Sequence, residues 1–222
     1  MSNKQNYQKI LDQILNDSDQ YGKKLLLHSC CAPCSSYVLV YLSKYFEITV
    51  FYYNPNITEA AEYEKRAQEQ KRLIAKLNKE REMGEERYPI HIMEADYEPE
   101  LFCRMAKGHE EDPEGGERCF ACYGLRLQKT AEAAAKAGFD YFTTTLTISP
   151  LKNADKLNEI GKKLGERCGV PYLLSDFKKR NGYLTSIELS RKYDLYRQDY
   201  CGCVYSKTER EKQKKERNEE ET

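Results

Sequence analysis

Three cysteines follow the first apolar segment of the chain, and this arrangement constrains the fold more than any other feature. The apolar segment, residues 24–27, predicts a short buried strand. Cys30, Cys31 and Cys34 come directly after it, and Pro33 indicates a tight turn that opens into a helix. Ligands collect at the carboxyl ends of strands in open α/β sheets, so the three thiols predict a functional site. A single cysteine here would instead be expected to be a buried structural residue.

Segments with strand character alternate with segments of helical character along the chain. Runs that are apolar, or rich in β-branched and aromatic residues, predict strands at residues 24–27, 46–53, 90–93, 139–146 and 171–174. Helices are predicted between them, including an alanine-rich helix that Gly138 ends. This alternation predicts an α/β fold in which helices flank a mostly parallel, doubly wound sheet.

We expect a single α/β domain over residues 1–206, with residues 1–22 as a helical lead-in. Residues 207–222 are almost wholly charged and are expected to form a disordered or frayed helical tail. Lys+Arg and Asp+Glu both total 36, which excludes a globally basic nucleic-acid binder but not a local basic face. The polar N-terminus and the lack of a long apolar run predict a cytoplasmic protein with no membrane partner.

A second thiol pair, Cys119 and Cys122, follows a glycine-rich acidic loop. At a helix start, the i, i+3 spacing puts both sulfurs on one face, with Arg126 one turn further along. A helix N-terminus favours negative charge on such thiols. The pair alone is compatible with zinc, iron–sulfur and thioredoxin-type chemistry.

The third pair, Cys201 and Cys203, is separated only by Gly202. This spacing permits a small, strained disulfide that is easily reduced, or two further metal ligands. Gly202 would supply the backbone freedom that ring closure needs. Cys103 and Cys168 stand alone within helical patterns and are expected to be structural.

The number of cysteines favours an iron–sulfur cluster over a single zinc ion. Nine cysteines in a reducing compartment indicate metal or redox chemistry, and seven of them fall into the three groups above. One structural zinc needs four thiolates, whereas a [4Fe–4S] cluster with a neighbouring redox or metal function accounts for more of them. The sequence contains no glycine-rich dinucleotide or P-loop motif.

Basic residues on separate segments suggest contact with nucleic-acid phosphates. Lys178 and Lys179 form a compact run, and with Arg126, Lys152 and Arg197 they are expected to line a phosphate-binding rim around the site. Some of the 18 tyrosines would then serve as stacking platforms for unpaired bases. The alternative is that the basic run is only a solvated face.

Taken together, the motifs resemble the epoxyqueuosine reductase QueH family. The resemblance covers roughly Leu25 to Ser206 and rests on motifs that occur in the same order along the chain. These motifs are Leu26-Leu27-His28-Ser29-Cys30-Cys31-Ala32-Pro33-Cys34, Tyr53-Asn54-Pro55-Asn56-Ile57, Glu62-Tyr63, Arg66, Gly116-Glu117-Arg118-Cys119, Cys122, Arg126-Leu127, Thr144-Thr145-Leu146, Ser149-Pro150, Lys152, Asp176-Phe177-Lys178-Lys179, Gly182-Tyr183, Arg197-Gln198, Tyr200-Cys201-Gly202-Cys203 and Tyr205-Ser206.

The resemblance implies a Rossmann-like fold of the HUP type and a cobalamin-independent enzyme. That enzyme removes the epoxide oxygen of epoxyqueuosine at the wobble position of tRNAs with a GUN-type anticodon and forms queuosine. The implied cofactor is a [4Fe–4S] cluster held by four cysteines, beside a redox-active, catalytic pair. The expected cluster ligands are Cys30, Cys31, Cys119 and Cys122, and the expected redox pair is Cys201 and Cys203.

Several roles around that cofactor stay open at this point. Cys34 is available to the cluster or to a second mononuclear metal, iron or zinc. The electron donor is unknown, and the proton-donor candidates are Tyr53, Asp96, Asp176 and Tyr200. One alternative function is a zinc-stapled RNA-binding module without catalysis. The other is a thiol–disulfide oxidoreductase, although such enzymes typically carry one C-x-x-C after the first strand and not C-C-x-x-C.

Overall fold

Four parallel strands, in the order β3-β2-β1-β4, form the sheet of the computed structural model, which describes residues 5–220. Residues 1–4 of the expected lead-in and 221–222 of the expected tail lie outside this range. The elements are α1 Tyr7–Leu15, β1 Lys24–His28, α2 Ala32–Leu42, β2 Glu47–Phe51, α3 Ala60–Glu82, β3 Ile90–Met93, α4 Pro99–Ala106, α5 Glu117–Ala137, β4 Tyr141–Thr144, α6 Ala154–Cys168, α7 Gly182–Lys192 and α8 Val204–Glu220, with short 3-10 helices at Ser18–Gln20 and Thr145–Ile148.

The central strand β1 is apolar because both faces of the sheet are covered. Leu25, Leu26 and Leu27 are each 0% exposed. Successive side chains of a strand point to opposite faces, so Leu25 and Leu27 join one core cluster and Leu26 joins the other. A continuous apolar run is typical of a strand in a parallel sheet covered on both sides. The predicted Rossmann-like α/β fold is confirmed.

The segment predicted as a fifth strand, residues 171–174, forms only a single bridge between Tyr172 and Phe142. The carbonyl of Pro171 accepts from Phe142 N, and Leu173 N donates to Phe142 O, after which the pairing ends. Proline has no N–H to donate, so pairing cannot extend at that end. The prediction of a regular strand there is therefore wrong.

Two helices differ from the sequence pattern in ways that bear on the site. The sequence pattern predicts a helix over residues 186–193, but α7 begins at Gly182, four residues earlier. Helix α8 begins at Val204, before the charged tail, and runs through it to Glu220. Its first turn is attached to the domain, because Ser206 is buried and Lys207 forms an ion pair with Glu59.

The carboxyl ends of the parallel strands bring distant segments to one edge of the sheet. His28 at the end of β1 lies beside Phe51 of β2 and Thr144 of β4. The chain leaves β1 into the cysteine turn, and α2 begins at Ala32 with Pro33 in its first turn. This is the edge at which ligands bind in folds of this kind.

Candidate active site

Cys30, Cys31 and Cys34 form a compact group of thiols at this edge. Their sulfur atoms all lie within 4.8 Å of one another, and the sulfurs of Cys30 and Cys31 are 3.8 Å apart. Cys31 has extended backbone as the residue before α2, while Cys34 lies inside the first turn of the helix. The change from extended to helical backbone turns the three side chains towards a common point. The group has the donor type and spacing to hold a metal.

Within this group, negative charge is concentrated on Cys30. Hydrogen bonds from the Cys31 and Cys34 thiols, with the nearby Arg126 charge and Thr145 hydroxyl, hold the pKa of Cys30 well below its usual range. The hydrogen bond to Cys30 in turn raises the pKa of Cys31 to about 12. Three thiols in one buried site therefore share one charge until a cation is present.

The other two thiol pairs meet in a cavity that we call the inner cavity. It is lined by Cys119, Cys122, Cys201 and Cys203, although the two pairs lie about 80 residues apart in the sequence. Burial raises the pKa of Cys122 to about 11 and that of Cys203 to about 12. The glycine-rich loop before α5 donates from Gly115 N to the sulfur of Cys119 at 3.3 Å.

An outer cavity of about 490 Å³ opens beside the inner one. Cys30, Cys31 and Cys34 line it, and Cys201 lines both cavities. Tyr183, Tyr200 and Arg197 also line the outer cavity, and Leu151 at its mouth is 70% exposed. Its volume is that of sites for small organic ligands. The geometry therefore connects a ligand-sized space to both groups of thiols.

A buried guanidinium lies among the thiols. Arg126 is 1% exposed; its Nε donates to Nε2 of His28 at 3.2 Å, and its Nη2 donates to Oδ1 of Asn54. Its Nη1 has no hydrogen-bond partner. Burial and the charge of Arg126 lower the pKa of His28 to about 3, so the ring is neutral and accepts this bond. Attraction by Cys122 raises the pKa of Arg126 against the effect of burial.

Lys152 brings a second buried cation to the boundary of the two cavities. It lines both, is 8% exposed and forms an ion pair with Glu114 at 2.9 Å. Burial opposes its charge, but the nearby Cys201, Tyr123 and Glu114 outweigh burial and raise the pKa of Lys152. The two buried cations, Arg126 and Lys152, therefore favour negative charge on the thiols of the two cavities.

The remaining predicted basic residues lie outside the inner cavity. Arg197 is exposed on the outer cavity and donates to Oγ of Ser190 at 3.1 Å. Lys178 and Lys179 line a neighbouring hollow that shares Leu151 and Lys152 with the outer cavity. Lys178 forms an ion pair with Asp176 at 2.7 Å, and Lys179 is exposed.

The isolated cysteines and the candidate proton donors are placed differently. Cys103 is exposed on α4, and Cys168 is partly buried at the end of α6; neither lines the inner or the outer cavity. Of the candidate donors, Tyr200 lines the outer cavity. The other three do not line either cavity: Tyr53 donates to Glu98 at 2.9 Å, Asp96 is exposed, and Asp176 is paired with a lysine.

Sequence reasoning did not assign roles to Glu114, His28 and Asn54. Glu114 belongs to an acidic loop in which no residue stands out, and only folding brings it to a lysine 38 positions away. His28 is the last residue of β1 and Asn54 lies three residues after the end of the adjacent β2, a position at strand ends that would have identified both residues. The hydrogen bond between His28 and Arg126 of α5 joins residues that are 98 positions apart, and no local sequence pattern indicates it.

Comparison with known proteins identifies the family. The model of the family described as epoxyqueuosine reductase QueH matches residues 25–209. The chain belongs to the QueH family. A relative named epoxyqueuosine reductase QueH from Staphylococcus epidermidis is 44% identical over 205 residues, covering 90% of this chain and 84% of the relative.

Two further QueH relatives extend the comparison. The one from Streptococcus pyogenes serotype M1 is 42% identical over 203 residues, covering 90% of this chain and 78% of the relative. The one from Thermotoga maritima is 33% identical over 189 residues, covering 84% and 91%. As a member of a reductase family, the chain is an oxidoreductase. None of the helices described within residues 5–220 combines the length and the apolar character that a membrane span requires.

Proposed function

We propose that this QueH-family chain reduces the epoxide of epoxyqueuosine in tRNA and produces queuosine. The observation that carries the proposal is the junction of the two cavities, where Cys201 and Lys152 border both a ligand-sized space and the thiol groups. Its relatives carry the same activity in their names. The cytoplasm, where thiols stay reduced, is the compartment in which we propose that it acts.

The proposed cofactor is a [4Fe–4S] cluster bound by Cys30, Cys31, Cys119 and Cys122. A cluster held by four thiolates is anionic, and the buried Arg126 offers it an N–H without a partner. This unpartnered N–H, between the two groups of thiols that would supply the ligands, supports the proposed cofactor. When bound, such a cluster supplies electrons one at a time. Cys34, which lies beside Cys30 and Cys31, would bind a second metal, iron or zinc.

The overall reaction consumes two electrons and two protons and releases the epoxide oxygen as water. Oxidation of the Cys201 and Cys203 thiols to a disulfide provides two electrons and two protons. An external two-electron donor would reduce the disulfide and restore the dithiol. Cys201 is suited to this role because it borders both cavities. Electrons would therefore travel only a short distance between the thiols and a substrate in the outer cavity.

The substrate would enter the outer cavity as an unstacked wobble nucleoside of a GUN-type anticodon. Tyr183 and Tyr200 line that cavity and offer aromatic faces on which a base can stack. Arg197 on the same wall and the neighbouring Lys178 and Lys179 would bind backbone phosphates. An open mouth is consistent with a substrate that remains attached to tRNA.

Anaerobic purification tests the cofactor and the reaction together. The proposal expects brown protein with about four irons and four sulfides per chain, and conversion of epoxyqueuosine to queuosine in tRNA. A colourless protein with one zinc and no turnover would favour the zinc-stapled RNA-binding module. Disulfide exchange without epoxide reduction would favour the thiol–disulfide oxidoreductase.

The double variant Cys201→Ser/Cys203→Ser separates the cofactor from the redox pair. It should keep its iron and its colour while turnover stops, because these thiols are proposed to supply electrons and not to bind the cluster. Loss of most iron and sulfide would assign the pair to the cluster instead. Full activity would rule out both roles.

A further inference from the structure

Helix α3 presents two arginines to the segment that leads into Cys201. Arg72 donates from Nη1 to the carbonyl of Tyr193 at 3.1 Å and from Nη2 to the carbonyl of Asp194. Six residues earlier, Arg66 donates from Nη1 to the carbonyl of Cys201 at 3.3 Å. Both arginines are paired with a glutamate of the same helix. The segment is thus attached to α3 at both ends through backbone carbonyls.

The Arg66 attachment is the buried one. Arg66 is 2% exposed, and its Nε donates to Glu62 at 2.7 Å. Its guanidinium also faces the ring of Tyr200 at 5.0 Å from the centroid. Glu62 accepts in addition from the hydroxyl of Tyr196 at 3.2 Å. A planar guanidinium can make these contacts in different directions at once, whereas a lysine ammonium cannot reproduce the fork.

The Cys-Gly-Cys turn is held by other backbone contacts as well. Asn56 Nδ2 donates to the carbonyl of Cys201 at 3.2 Å, and Thr58 N donates to the carbonyl of Gly202 at 3.3 Å. From the other side, Cys201 N donates to Oγ of Ser206 at 3.0 Å. The carbonyl of Cys201 is therefore shared by two buried donors, of which Arg66 alone is charged.

We propose that Arg66 is a positioning residue for the redox pair: by binding the carbonyl of Cys201 it holds the Cys201 and Cys203 thiols in the inner cavity. A hydrogen bond from a charged group is stronger than one from a neutral group, so the guanidinium contributes more to this order than Asn56 does. The consequence for turnover rests on the proposed function. The position of the thiols does not, and it can be measured separately.

The test compares alkylation of individual cysteines in the full-length, anaerobically reduced protein by peptide mass spectrometry. In Arg66→Met, the labelling rate of Cys201 and Cys203 relative to the exposed Cys103 should rise about tenfold or more. Arg66→Lys keeps a cation beside Glu62 and should fold, but it should show a similar rise because one ammonium cannot serve both partners.

Arg72→Met is the matched control, since it removes the same kind of clamp from the same helix. It should leave the labelling of Cys201 and Cys203 within twofold of the unmodified protein. Equal acceleration in the two methionine variants would overturn the proposal, because the whole segment would then act as one docked unit. Unchanged labelling in Arg66→Lys would overturn it as well.

Steady-state kinetics with tRNA test the effect of Arg66 on turnover. Misplaced thiols should lower kcat of Arg66→Lys at least tenfold while KM for tRNA stays within twofold, because Arg66 does not line the outer cavity. A rise in KM alone would contradict positioning. If the unmodified chain does not reduce epoxyqueuosine, the proposed function fails, and the labelling rates still decide whether Arg66 positions the pair.

Discussion

Replacement of Gly202 by alanine should disrupt the turn that carries the two thiols. Gly202 has a φ of +112°, a region in which alanine is strained, and its added Cβ would lie 2.7 Å from Cγ1 of the buried Ile57 and 3.1 Å from Nη1 of Arg66. The backbone conformation costs about 1–2 kcal/mol, and forcing a methyl group into packed surroundings costs about 1–3 kcal/mol. The expected destabilisation of the turn is therefore about 2–5 kcal/mol.

Opening of the turn is read most directly from the labelling rate of Cys203, which is buried in the native structure. A cost of about 2 kcal/mol corresponds to roughly thirtyfold faster labelling when opening is at equilibrium. Urea unfolding of the whole domain should change less, since this turn can open while the sheet remains folded.

Alanine substitutions at two other glycines separate the cost of backbone strain from the cost of steric contact. Gly169 has a φ of +74° with no atom within 4 Å of an added Cβ, so Gly169→Ala measures backbone strain alone, at about 1 kcal/mol. Gly124 lies inside α5 with open space around it, and Gly124→Ala should stabilise the protein by about 0.5–1 kcal/mol. If Gly202→Ala raises Cys203 labelling no more than the strain cost measured for Gly169→Ala accounts for, the reasoning from close contact is refuted.

The remaining predictions concern the centre, the substrate surface and the core. Cys122→Ala should abolish iron binding while Cys168→Ala keeps it, as measured by iron and sulfide content; equal retention would remove Cys122 from the cluster. Reversal of Lys178 and Lys179 to glutamate should weaken tRNA binding and flatten its salt dependence without loss of colour, and an unchanged salt slope would refute the contact. Gly161→Ala should lower the thermal midpoint by several degrees, because its Cβ would lie 2.5 Å from a buried tyrosine ring; an unchanged midpoint would show that the ring can move.

The central strand β1 was predictable because it is short and buried on both faces. The run at β1 contains three leucines in sequence, which leaves no polar face to place in water. The segment at Pro171 has similar composition but forms only one bridge, since its pairing depends on the position of β4 and on a missing N–H. Strand composition indicates burial, whereas the extent of pairing is decided by neighbours distant in sequence.

The grouping of thiols was only partly predictable. Spacing alone indicated that Cys119 and Cys122 share a helix face, because the helical period relates neighbouring residues. The short spacing of Cys30, Cys31 and Cys34 likewise placed those three thiols in one turn, but no local rule could show that Cys201 and Cys203 join Cys119 and Cys122 in one cavity. The proximity of these two cysteine pairs depends on how segments distant in the sequence converge at one edge of the sheet.

The burial of Arg126 links the electrostatics of the site to its proposed chemistry. An isolated buried cation is destabilising unless negative charge compensates it. Within residues 5–220, the hydrogen-bond partners of this guanidinium, His28 and Asn54, are neutral, and no carboxylate forms an ion pair with it. Of the thiols close enough to raise its pKa, Cys30 has a pKa held well below its usual range, so the Cys30 thiolate can compensate the charge of Arg126. Because the Cys30 thiolate and the Arg126 guanidinium stabilise each other, Cys30 is ready to bind a metal, whereas Cys31 and Cys122, with pKa values of about 12 and 11, must first lose their protons.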